Sequence, residues 1–413
     1  MLVFIFFVFP GAAKAITLEE ALNIALDNNL QILIGKEKIR EAEQILKVAS
    51  AAYFPILNLD GVYTHLGEVS TGEQDVASFI FSLTQPLYTS GRLSLTKQQI
   101  EVNYQTVKQD LENIQKEVAY QVKEGFYSYF LAEKNLEIIE KALEQAELHL
   151  KVVESFFQSG RVSRFDFLRA KVEIANLKPE LIQAKNSLYL AKEKLAFLLS
   201  LPSSSFEVEG KLKFEVLTLT LNQAIKDALT SRSDLKSWES QKDMAKLFWE
   251  IAKANNLPTL SFIANYEFTP IGEKGWQDNW NANIVLSFPL FDSGRNKAVV
   301  EQKKSQVIQT ELAIQQLRGA IQIEVKKAFL DMQAAKESLI AQEQNIYQAE
   351  EALFIAKARY ESGTIIQLEV LDAQLALTRA RAGYNKALFD YNLARAHLDR
   401  AIGIKEESSE RNL

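Results

Sequence analysis

A fixed interval of 203 residues runs through this chain and constrains it more than any other feature. Ala21 returns as Ala224, Pro55 as Pro258, Pro86 as Pro289, Gly91 as Gly294 and Gly160 as Gly363. The neighbouring words agree as well. Gln-Pro-Leu-Tyr-Thr-Ser-Gly-Arg (85–92) answers Phe-Pro-Leu-Phe-Asp-Ser-Gly-Arg (288–295), and Phe165-Asp166-Phe167-Leu168 answers Leu368-Glu369-Val370-Leu371. Five coincidences at one offset indicate a tandem duplication of a unit of about 200 residues. The halves are expected at 16–215 and 216–405, with 406–413 as a tail.

A net charge of −6 without a basic cluster speaks against a nucleic-acid partner. Cysteine is absent, which excludes disulfides, thiolate metal sites and lipid attachment through an N-terminal Cys. His65, His149 and His397 fall singly on different segments, as surface or packed histidines do; no metal site or cofactor is expected. The apolar run at 2–9, followed by Ala13-Lys14-Ala15, reads as a signal peptide over 1–15, although no basic residue precedes the run. A buried N-terminal strand is the other reading of that run. Beyond it no stretch of 18 apolar residues offers a membrane helix.

Each half reads as short helix, helix, two strands, very long helix, long helix. Thr17 and Thr220 stand as N-caps, and Pro55 and Pro258 stop the helices expected at 30–52 and 235–255. The period then changes to two. Leu57, Leu59 and Tyr63 alternate with Asn58, Asp60 and Thr64, as Leu260, Phe262 and Tyr266 do with Ser261, Asn265 and Glu267. Two β-hairpins are expected, at 56–88 and 259–291, each with one apolar face and one largely polar face and with polar loops at 67–77 and 269–279. Tyr53, Phe54, Tyr63, Tyr88, Phe268, Trp276, Trp280 and Phe291 lie near strand ends, like the aromatic girdle of an outer-membrane barrel. The strands alone fit a soluble, half-buried sheet equally well.

From Arg92 to Phe157 there is no proline and one glycine. Ala132, Leu136, Ile139, Leu143, Ala146, Leu150, Val153 and Phe157 make a coiled-coil seam, repeated from Ala335 to Tyr360. At ~1.5 Å per residue such a helix is on the order of 100 Å long, against ~30 Å of bilayer core, so it projects from a membrane rather than lying in it. Gly160 and Gly363 end the long helices, and return helices are expected at 164–199 and 367–401. Four strands cannot close a barrel, and an open edge in lipid leaves backbone groups unsatisfied at several kcal/mol each. If the strands lie in lipid, the barrel must be shared between copies. Two copies would fill their interior with side chains, which favours three.

The whole duplicated pattern over 16–405 resembles the TolC family of outer-membrane efflux and secretion channels. Its marks here are Pro-Leu-(Tyr/Phe)-x-Ser-Gly-Arg after each hairpin and Gly-x5-(Asp/Glu)-(Phe/Val)-Leu at each helical tip. The resemblance implies a mainly α fold with a small β part. It further implies a homotrimer whose four strands per chain build a 12-stranded barrel in outer-membrane lipid, above a helical tunnel in the periplasm. The implied partners are a periplasmic adaptor and an inner-membrane transporter of RND, ABC or MFS type.

By the same resemblance, Gly160 and Gly363 mark adaptor-docking tips, a role held alongside helix capping. Glu369 and Asp372 would line a periplasmic constriction as six carboxylates that favour cations; a solvated acidic face is the alternative. Asp166 and Tyr360 would form a hydrogen-bonded latch, whereas Ile365 stands where studied members carry Arg, implying a looser or more apolar gate. Phosphate-loop, nucleophile-elbow and His-Glu-x-x-His motifs are absent, so a passive conduit rather than an enzyme is expected. A soluble periplasmic coiled-coil adaptor is the competing reading. It explains the helices but not two hairpins at the same phase.

Overall fold

The computed structural model describes residues 14–66, 74–270 and 275–404. The expected export segment, apart from its last two residues, lies outside them, as do the expected tail and parts of both hairpin loops. The first half runs β1 (Lys14–Ile16), α1 (Leu18–Asn28), α2 (Leu30–Ala51), β2 (Ile56–Leu66), β3 (Gln74–Tyr88), α3 (Arg92–Gln158) and α4 (Arg164–Leu199). A short 3-10 turn and β4 (Phe206–Val208) lead into α5 (Leu221–Ser231), α6 (Ser233–Ala254), β5 (Thr259–Pro270), β6 (Trp276–Ser287), α7 (Arg295–Glu361) and α8 (Gln367–Ile402).

The first and last residues of α1 to α4 recur 203 positions later at both ends of α5 to α8. The left-handed residues recur likewise: Ser90, Gly91, Gly160 and Ser200 match Ser293, Gly294, Gly363 and Gly403. Helix ends are therefore set by local chemistry that the duplication copied. Side-chain locks are copied too. Asn29 Nδ2 donates to Leu198 O at 2.8 Å, and Arg232 Nη1 donates to Ala401 O at 3.1 Å, tying equivalent last turns of α4 and α8.

The strands form one antiparallel sheet in the order β2-β3-β5-β6. Its register lines up Leu59, Phe81, Tyr266 and Trp280 on one face and Asn58, Ser82, Asn265 and Asn281 on the other. The two faces are thus apolar and polar across the whole sheet. Yet among the described residues no side chain of these four strands is buried, and β6 is exposed along its entire length. A soluble half-buried sheet would bury its apolar face against a core. Among the described residues this sheet packs neither face against a core.

The second hairpin ends earlier than expected, at Ser287 rather than 291. Ser287 pairs with Thr259, the first residue of β5 after Pro258, so 288–291 have no strand left to join. Pro289 also lacks a donor. In the first hairpin, β3 continues past Pro86 through a register shift between Pro86 and Tyr88.

The described chain divides into two compact units that cut across the repeat. One is Gly35–Leu111 with Ser233–Arg318, and the other takes the remainder; α3 and α7 contribute to both. In the unit that holds the sheet, Ser237 Oγ donates to Asp110 at 3.0 Å and Arg318 pairs with Glu239 at 3.1 Å. In the other, Val118, Val122, Phe126 and Phe130 of α3 are buried, as are Leu195, Leu198 and Leu199 of α4. Gly125 belongs to this contact, because a Cβ there would lie 3.3 Å from Leu198 Cδ1.

Two features here were not legible in the sequence. β1 pairs in parallel with β4, burying Ile16 and Phe206. The extended segment 209–220 is held from α8, where the buried Tyr391 hydroxyl donates to Glu215 O and its ring meets Phe214 edge-on at 4.9 Å. Among the described residues no helix is long and apolar enough to cross a membrane.

Candidate functional site

The two tips are built by the same turn. At the first, Gly160 N–H donates to Phe157 O at 3.0 Å and Arg161 N–H to Phe156 O at 2.8 Å. At the second, Gly363 N–H donates to Tyr360 O and Thr364 N–H to Arg359 O, both at 2.9 Å. Each glycine has φ 72, a left-handed value that costs glycine nothing. Both glycines are exposed, so each tip presents backbone to solvent.

The helices leaving the tips begin differently. Ser163 caps α4 in a reciprocal box: its Oγ accepts from Asp166 N–H, and the Asp166 carboxylate accepts from Ser163 N–H at 3.1 Å and from its Oγ–H at 2.6 Å. At the start of α8 the cap is Ile366, which offers no side-chain bond. Glu369 and Asp372 are both exposed, three residues apart on one helical face. Among the described residues neither carboxylate is tied to a side-chain partner.

The hydrogen bond expected between Asp166 and Tyr360 is not made. The Asp166 carboxylate is engaged three residues away, where the cap costs no chain closure, and the Tyr360 hydroxyl is buried without a partner. Asp166 acts on Tyr360 only through its field: burial first, and then the Asp166 charge, push the phenol pKa up. Ile365 packs, partly buried, against a cluster of Ala349 and Leu353 from α7 with Val370, Leu377 and Ala380 from α8. At the second tip Ile365 and Tyr360 pack against apolar side chains where the resemblance implied a polar bond.

His149 of α3 joins the site, although its isolated position in the sequence gave no sign of it. Its Nε2 lies 2.8 Å from Gln367 Nε2 at the start of α8, and its ring centroid lies 6.2 Å from that of Tyr360. Two turns further along α8, Gln374 donates to Gln145 at 3.1 Å, so α3 and α8 meet through amides and an imidazole. A cavity of about 40 Å³ adjoins this seam, lined by His149, Ala170, Glu173, Leu371, Gln374 and Thr378 among others. Burial, and secondarily Lys357, hold the His149 pKa below its ordinary value. Among the described residues no acidic, histidine or cysteine cluster is arranged to hold a metal ion.

The profile of the family described as "Outer membrane efflux protein" matches this chain twice, over 21–200 and 224–404. The chain belongs to the outer membrane efflux protein family. The soluble adaptor reading falls with that result. Outer membrane protein TolC of Vibrio cholerae serotype O1 is 22% identical over 415 residues, covering 96% of this chain and 93% of its own length. Alkaline protease secretion protein AprF of Pseudomonas aeruginosa is 21% identical over 420 residues, covering 96% of this chain and 86% of its own. The solved structure of CusC superposes with a TM-score of 0.81 at 20% identity over 94% of this chain and 92% of that one. The fold is thus TolC-like and mainly helical, and the protein belongs to the outer membrane.

Proposed function

We propose that this chain is one third of a passive, trimeric outer-membrane conduit that carries no catalysis and is gated at its periplasmic tips. The observation that carries this is the sheet, whose apolar face is uncovered and whose edge strands β2 and β6 each have an outer edge with no partner among the described residues. In lipid each unpaired backbone group costs several kcal/mol, so those edges must meet the edges of other copies. Three copies supply twelve strands, with the Asn-lined polar face turned to the lumen and the girdle aromatics to lipid.

The helices support the same reading. α4 leaves Phe165, Leu168, Val172, Ile182 and Tyr189 exposed, and α7 leaves Ile323, Leu330, Ile340, Tyr347 and Phe354 exposed. Spacings of three, four, seven and ten (seven plus three) are those of coiled-coil seams that lack a partner. A neighbouring copy would cover each.

In this reading Gly160 and Gly363 present the tips to a periplasmic adaptor, behind which stands an inner-membrane transporter. Glu369 and Asp372 line the constriction, with Tyr360 and Asp166 beside it. AprF is named for protease secretion, and the family for efflux; the choice of cargo rests with the pump. The test is fractionation followed by reconstitution. The full chain should remain with the outer membrane as a heat-resistant trimer and should give discrete conductance steps in planar bilayers. Release as a monomer with the periplasm would overturn the proposal.

A further inference from the structure

We propose that the contact between His149 and Gln367 is a proton-sensitive tie, which holds the start of α8 against α3 and loosens the second tip on acidification. This rests on the gate reading above and assigns that gate a regulator. Gln367 is the first residue of α8 and is 7% exposed. In this orientation the amide nitrogen donates and His149 Nε2 accepts, which requires the neutral ring with its proton on Nδ1. Among the described residues the Gln367 Oε1 and the Tyr360 hydroxyl are both buried without partners. With Ile366 offering no cap, this bond is the side-chain anchor of the helix start.

A proton on Nε2 sets donor against donor. Turning the amide over brings the idle Oε1 to the imidazolium, but it strands the NH2 and leaves a charge in a half-buried seam. Burial disfavours that charge. Lys357 on α7 opposes it, while the α8 side chains that bond to α3 here, Gln367 and Gln374, are neutral. On α4, Glu173 lines the adjoining cavity, and Asp166 reaches as far as Tyr360, where its field acts.

The sign follows from linkage. Because the packed state favours the neutral ring, the released state takes up the proton first. The tie is at full strength above the ordinary imidazole value of about 6.5 and weakens as pH falls through it toward the depressed value. The device occurs once per chain. At the same offset its counterparts are Ala352 and Arg164, which cannot reproduce it.

Hydrogen exchange on the full-length protein, corrected for intrinsic rates, tests the tie without reference to transport. From pH 7.5 to 5.5, backbone exchange across 362–372 should rise at least about three-fold in the native protein and stay flat in His149→Gln. Gln367→Leu, which removes the anchor, should exchange fast at both values. A native protein whose protection ignores pH, or a His149→Gln variant with the same response, overturns the tie. Bilayer conductance serves as the second arm, expected to rise on acidification in the native protein alone. If exchange responds to pH and conductance does not, the tie stands and the placement of the gate at this tip falls.

Discussion

Asp166 and Glu369 are the same residue twice over, 203 positions apart, and the residue three before each decides its fate. Ser163 draws Asp166 into a cap, whereas Ile366 leaves Glu369 free to act as a charge. Ile366→Ser should therefore complete a Ser-x-x-Glu box, stabilise the start of α8 by about 1 kcal/mol and, in the proposed conduit, withdraw Glu369 from the constriction. Slower amide exchange at 367–370 together with a weaker cation preference would show it. If neither moves, Glu369 is held by something other than a missing cap. The converse, Ser163→Ala, should cost about 1 kcal/mol and fray α4. Tyr360→Phe removes a buried hydroxyl that bonds to nothing, so stability should hold or rise slightly and resting conductance should not change. A rise in resting conductance would restore the latch. The Ser-x-x-Asp word could be read in the sequence. What could not be read is that a carboxylate prefers a partner one turn away to a phenol some 200 residues distant, because the local bond costs far less chain entropy.

At the level of elements, the ends of helices were the most legible part, since glycine, proline and capping residues act within one turn. The repeat makes their energetics comparable. α4 and α8 both close in a left-handed residue, Ser200 with φ 54 and Gly403 with φ 82. A left-handed conformation costs a non-glycine residue roughly 1–2 kcal/mol, so Ser200→Gly should raise the midpoint of thermal unfolding. Gly403→Ala should lower it further than strain alone would, because the new Cβ would lie 3.1 Å from Arg232 Cγ and 3.2 Å from its Cα. Equal and opposite shifts would mean that the Arg232 contact yields without cost. Elements without local signatures stayed hidden. A three-residue strand such as β4 has no period, and 209–220 is shaped by Tyr391 and Arg395, which reach it from α8. The contact made by His149 is hidden for the same reason, since its partner Gln367 is 218 residues away.

For the molecule as a whole, the duplication is legible from sequence, but the compact units are not, because packing joins corresponding parts of both halves rather than each half to itself. That exchange gives the trimeric reading a further consequence. In a ring of six like hairpins, equivalent positions lie at one height and one radius. Arg169 is the counterpart of Asp372, and both are exposed. Three arginines would then alternate with three aspartates around the constriction, offsetting part of the acidic charge carried by Glu369 and Asp372. Arg169→Glu should increase cation preference, read as a larger reversal potential across a KCl gradient. Glu369→Gln combined with Asp372→Asn should shrink or invert that potential. Both effects should fade as salt is raised from 0.1 M to 1 M, because the screening length falls from about 10 Å to about 3 Å. The decisive comparison is between the single variants at low salt. If Asp372→Asn moves the reversal potential and Arg169→Glu does not, the halves are not equivalent at the pore. The first tip would then stand back from the constriction, leaving the second to close it alone.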